Sequence, residues 1–163
     1  MKKVLFTAIF LLLFLSGCKT KSPEVIPITT GLKFNAQIFY LGNNYEYNVV
    51  IDSNSNCEIT DNSTNIKYYF QGSKLTIEYN GISHETDSLS DKLPLDLIYS
   101  VFNSINHSTA KPITENNNCY IKSADEKYSY TCYFGMSGLP VKIEESNFPV
   151  TVDIKNCTII KSS

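Results

Sequence analysis

Thiols are the side chains of this sequence best suited to covalent chemistry, and four lie in the body of the chain: Cys57, Cys119, Cys132 and Cys157. Metal binding would need them clustered as C-x-x-C or beside histidines. They are not, and His84 and His107 stand alone, so no metal site is expected. Disulfides fit the pattern better. Four cysteines allow three pairings, and here a turn chooses between them. Cys119 and Cys132 are equidistant from Asp125-Glu126, and a two-residue turn there would set them opposite each other on adjacent strands. That spacing predicts Cys119–Cys132 and, by elimination, Cys57–Cys157, with free buried thiols as the alternative. A loop as short as the first would contribute on the order of 3 kcal/mol. Nucleophilic catalysis has weaker support. Ser83-His84 and His107-Ser108 are sequence neighbours, and neighbours in a strand point to opposite faces. No G-x-S-x-G or H-E-x-x-H motif is present, and Glu144-Glu145 reads as a solvated strand end. The sequence therefore predicts neither an enzyme nor a cofactor.

A fifth cysteine has a different setting. Lys2 and Lys3 precede the apolar run Val4–Phe14, the charged and apolar regions of a secretory signal, too short for a stable membrane span. The run closes on Leu15-Ser16-Gly17-Cys18, which resembles the lipobox of bacterial lipoproteins. The resemblance implies that the Cys18 thiol receives a diacylglycerol and becomes the new N-terminus. Each buried methylene of a palmitate-type chain contributes about 0.8 kcal/mol, so two or more chains anchor stably. The predicted organisation is a signal peptide over residues 1–17, a tether over 18–30 carrying Pro23 and Pro27, and one domain over 31–160. The protein is expected on the extracytoplasmic face of the cell membrane, its partner there the bilayer itself.

Composition narrows the rest. All 14 basic residues are lysine, and 16 are acidic. Loss of Lys2 and Lys3 with the signal takes the net charge from −2 to −4. A chain with no arginine lacks the guanidinium fork preferred for phosphate, and nucleic-acid binding is not expected. The 146 residues left after the signal suffice for one core.

From Gly31 the pattern is β. Phe34, Ala36, Ile38 and Tyr40 alternate with polar neighbours, as do Tyr45, Tyr47, Val49 and Ile51. Short strands follow at Cys57–Asp61, Ile66–Phe70, Leu75–Tyr79 and Ile82–Thr86, the last two joined by Asn80-Gly81, a type I′ turn dipeptide. The period then changes. Leu97, Ile98, Val101, Phe102 and Ile105 recur at helical spacing behind Asp91 and Pro94, predicting one amphipathic helix from Pro94 to Ile105. Asn106–Asn118 reads as a loop, followed by the cysteine hairpin and strands at Leu139–Glu145 and Pro149–Ile160.

Gly138-Leu139-Pro140-Val141-Lys142-Ile143 and the closing Val150-Thr151-Val152-Asp153-Ile154 resemble the C-terminal half of lipoprotein-localisation (LolA/LolB-like) domains. The order of elements over residues 31–160 is similar to that of small uncharacterised lipoproteins of Gram-positive anaerobes. The resemblance implies a mainly β (α+β) fold: a curved antiparallel sheet, a half-barrel, with one amphipathic helix covering its apolar face. It also implies a non-enzymatic module that binds an apolar, acyl-chain-like ligand, or one that tethers a cell-envelope protein partner. The family's N-terminal helix has no counterpart in residues 19–30, which implies a smaller or more open cavity. On this reading Ala36, Ile38, Val49 and Ile77 form the floor of a ligand site, and Leu97, Val101 and Phe102 its roof. Many of the eleven tyrosines, Tyr45, Tyr47, Tyr68 and Tyr79 among them, would frame the mouth.

Overall fold

Alternation of apolar and polar side chains turns most of this chain into strands, because only that period buries one face of a sheet. The computed structural model describes residues 25, 30–87, 94–107, 110–116, 118–124 and 127–160. Six strands come first: β1 (Leu32–Tyr40), β2 (Asn43–Ile51), β3 (Cys57–Asp61), β4 (Lys67–Gln71), β5 (Lys74–Tyr79) and β6 (Ile82–Asp87). Helix α1 (Pro94–His107) follows, then β7 (Ile113–Glu115), β8 (Asn118–Ala124), β9 (Ser129–Phe134), β10 (Pro140–Glu145) and β11 (Val150–Ile159). All eleven join one open antiparallel sheet, in the order β6-β5-β4-β3-β2-β1-β11-β10-β9-β8-β7. The strands, the helix and nearly all of the core thus lie between residues 32 and 159.

Two turns show why particular residues were needed. Asn80 and Gly81 both have positive φ, 50° and 79°, as a type I′ hairpin requires. Gly31 has φ +77°, and a Cβ there would lie 2.9 Å from the Ile51 carbonyl oxygen, so only glycine lets β1 start beside the end of β2.

The sheet is strongly curved. Asp96 of α1 pairs with Lys127, in the β8–β9 connection. One helical turn later, Tyr99 stacks on Phe70 of β4 at 5.1 Å and donates to the Gly72 carbonyl at 2.9 Å. β4 and β9 are six steps apart in the sheet, about 29 Å if it were flat, whereas residues 96 and 99 are separated by only about 5 Å along the helix axis. Those side chains reach both strands only because the sheet curls around the helix as a half-barrel. At the other end Asn106 donates to the Ser55 hydroxyl at 2.6 Å. Leu97, Ile98 and Val101 are fully buried, and Phe102 packs on Phe34 with centroids 5.4 Å apart.

Three sequence expectations change. The helix continues past Ile105 to His107, held there by the Asn106–Ser55 bond. The expected loop 106–118 contains β7, an exposed edge strand too short to show a period. The cysteine hairpin is longer than a two-residue turn, since Ala124 pairs with Ser129, although residues 125–126 lie outside the described residues. So do the signal peptide, Cys18, Asp91, Ser108 and all of the tether except positions 25 and 30.

Candidate functional site

The predicted floor and roof meet on the concave side, but as packed core. Ala36, Ile38, Val49, Leu97, Val101 and Phe102 are all 2% exposed or less, and Ile77 is half-buried at their edge. The helix crosses the sheet diagonally, from the β8–β9 connection to the β2–β3 turn, and fills the space between. What it leaves uncovered is the far end of the concave face on β2 to β6. There the register lines up Tyr45 and Tyr47 of β2, Asp61 of β3, Tyr68 of β4, Ile77 and Tyr79 of β5, and Ile82 of β6. Tyr45, Tyr79 and Ile82 are 41%, 50% and 76% exposed, whereas Tyr68 is half-buried and Tyr47 is buried at the inner edge of the strip.

Asp61 is the residue the sequence reading missed. It lies directly opposite Tyr47 in the β2–β3 register, so the two share a face, and Tyr68 is its diagonal neighbour across β4. Its carboxylate is fixed by the turn that follows. Oδ1 accepts from the Ser63 N–H at 2.7 Å, the Ser63 hydroxyl at 2.6 Å and the Thr64 N–H at 3.2 Å. The only signal in the sequence was Asp61-Asn62-Ser63-Thr64, an Asx-turn composition. Burial works against the charge, but the Ser63 and Thr64 hydrogen bonds outweigh it and hold the carboxyl below its ordinary range. Burial first, then Asp61, Tyr68 and Tyr45, push the Tyr47 phenol up to about 12. Burial and then Asp61 raise Tyr68 as well. Three phenols and one ionised carboxylate therefore form one cluster.

The thiols are placed differently from their expected pairing. Cys119 lies opposite Phe134 and Cys132 opposite Ile121, so the two are diagonal on one face rather than face to face. Cys57 on β3 is three strand steps from Cys157 on β11. All four are free thiols, three buried and Cys157 half-buried. Burial raises Cys57 well above the thiol range. Burial and then the neighbouring Cys157 raise Cys132, and burial pushes Cys157 up to about 11. Raised in this way, Cys57, Cys132 and Cys157 lack the lowered pKa of an activated cysteine.

The remaining polar groups do structural work. His84 is exposed on β6, and the His107 ring nitrogen Nδ1 lies 2.8 Å from the Asn103 carbonyl. Glu144 faces outward to Lys142 and Tyr133. Glu145 is buried and caps the β10–β11 turn, accepting from the Ser129, Asn147 and Phe148 N–H groups. The adjacent carboxylates are therefore no acid–base couple. On the outer face a relay of amides crosses the sheet, Asn156 to Asn35 at 3.1 Å, Asn35 to Asn48 at 2.6 Å and Asn48 to Asn62 at 2.6 Å. It borders a cleft of about 110 Å³ that Gln37, Glu46 and Lys155 also line.

No family model matches the chain, and no curated protein matches it in sequence. Among solved structures it is similar to the LolA superfamily protein NE2245 of Nitrosomonas europaea. That likeness has a TM-score of 0.40 at 11% identity and covers 82% of this chain and 86% of the other. At that level it adds nothing to the strand order and site geometry given above.

Proposed function

We propose that the chain is a lipid-anchored, extracytoplasmic lipoprotein whose domain, residues 31–160, binds an apolar, acyl-chain-like ligand and catalyses no reaction. The observation that carries the reading is the uncovered concave strip. Large apolar side chains on a curved surface are left open beside a helix that seals the rest of the same face. The strip runs from the tyrosine cluster to Ile82, a width of several strands. Anchoring rests on the Leu15–Cys18 lipobox resemblance, and a bilayer would be a source of acyl chains.

Native mass spectrometry of residues 19–163, which include the whole sheet and helix, tests this when the protein is purified without detergent. A lipid-sized adduct, lost on substituting Ile77 and Ile82 by serine, is the expected result. A clean apo mass that stays clean with added twelve-carbon amphiphiles overturns it. One observation favours a second reading, a lipoprotein that tethers an envelope protein. The apolar strip ends at β6, an end strand of the sheet, where a partner's strand could add by backbone pairing. Crosslinking from membranes through position 82 would return a single envelope protein in that case.

A further inference from the structure

The uncovered strip is not chemically uniform. Its β5–β6 end presents Ile77, Tyr79 and Ile82, whereas its β2–β4 end presents Asp61 beside the exposed Tyr45 and the half-buried Tyr68, with the buried Tyr47 directly opposite it. Asp61 is held in place by Ser63 and Thr64, and among the described residues no lysine pairs with it. The lysine nearest in sequence, Lys67, lies on the outer face opposite Glu78. Among the described residues of β5 and β6, the ionisable groups facing the strip are Tyr79, opposite Ile82, and His84, opposite Ile77 and three strands from Asp61.

A carboxylate that no described lysine pairs with, set among phenols, is the chemistry that recognises a weakly hydrated organic cation. The ring faces attract the charge, the carboxylate neutralises it, and the methyl or methylene groups pack on the rings. An anionic head at the same place would meet like charge and electron-rich ring faces. We infer that the Asp61–Tyr45–Tyr47–Tyr68 cluster is a head-group site for an ammonium or quaternary ammonium amphiphile, whose chain lies along Ile77, Tyr79 and Ile82. The inference rests on the apolar-ligand reading and adds to it the charge of the ligand. The cluster and the apolar strip adjoin in register, so one molecule can occupy both ends.

Calorimetric titration of residues 19–163 with three twelve-carbon amphiphiles below their micelle concentrations tests it: dodecyltrimethylammonium, dodecyl maltoside and laurate. The cation is expected to bind about tenfold more tightly than the maltoside, and laurate more weakly than either. Asp61→Asn keeps the Oδ1 acceptor that orders the turn, so it should fold normally. It should bring the cation to the level of the maltoside and leave maltoside binding unchanged. Tyr45→Leu, at an exposed position, should weaken the cation's advantage severalfold while sparing the maltoside. Equal binding of all three heads, or a cation preference that survives Asp61→Asn, overturns the inference while the apolar-ligand reading stands. Failure of all three to bind overturns both.

Discussion

The two faces of this one sheet differ more than any two of its strands. On the concave face successive rows are aliphatic or aromatic, and the one charge in the uncovered strip, Asp61, is fixed by a turn. On the outer face the intervening residues form a hydrogen-bonded surface: the Asn156–Asn35–Asn48–Asn62 relay, Lys155 on Gln37, and Tyr133 on Glu144. Both faces are made by the same backbone, and a shift of one residue would exchange them. The concave face is stabilised by exclusion of water, which is worth kilocalories per side chain, and the outer face by hydrogen bonds that water could also make. Stability and the candidate binding surface therefore belong to the concave face, and the outer face chiefly keeps the sheet soluble and in register.

The sharpest break of that contrast comes from the helix seat. Phe102→Ala, which empties the space against Phe34, should cost about 3–5 kcal/mol in urea unfolding. A smaller cost than that of an outer-face substitution would refute the assignment of the core. Alkaline pH should act next, most strongly through the buried groups of the concave face. Tyr47, at about 12, and Cys157, at about 11, keep their protons in the folded protein to higher pH than in the unfolded chain. Their contribution is intact below about pH 9 and is lost as pH rises through those values, about 2–3 kcal/mol for Tyr47 alone. Tyr47→Phe should flatten the drop in reduced protein unfolded at pH 8 and pH 11.

The two adjacent glutamates make a smaller internal comparison. Glu145→Ala removes the buried acceptor of three backbone N–H groups and should cost about 2 kcal/mol. Glu144→Ala removes a half-exposed ion pair with Lys142 and the hydrogen bond from the Tyr133 hydroxyl and should cost about 1 kcal/mol or less. Smallest of all should be Asn48→Ala in the exposed relay, again under about 1 kcal/mol. A loss near that of Glu145→Ala would mean that the relay acts as a unit. Alkylation of native protein should modify Cys157 before the three buried thiols, with peptide mapping as the readout.

Much of the architecture was legible because it is local. The alternation through Phe34–Tyr40 and Tyr45–Ile51, the Asn80-Gly81 turn, and the Leu97–Phe102 spacing behind Pro94 each set an element within its own segment. The misjudged elements were those without a local signal. β7 is three residues long, and nothing near 125–126 marks a connection longer than two residues between Ala124 and Ser129. That difference moved Cys119 from opposite Cys132 to opposite Phe134.

Sequence by itself determined which residues alternate, where one helix starts, that the core is apolar and arginine is absent, and that the first eighteen residues resemble an export and lipidation signal. Only the tertiary structure decided what those faces meet. The curl of the sheet around α1 turned the expected cavity floor of Ala36, Ile38 and Val49 into packed core. The β2–β3–β4 register set Asp61, one of sixteen acidic residues in the chain, among three tyrosines distant from it in sequence. Period fixes a residue's face, but its neighbours across strands depend on register and curvature, which no single segment encodes.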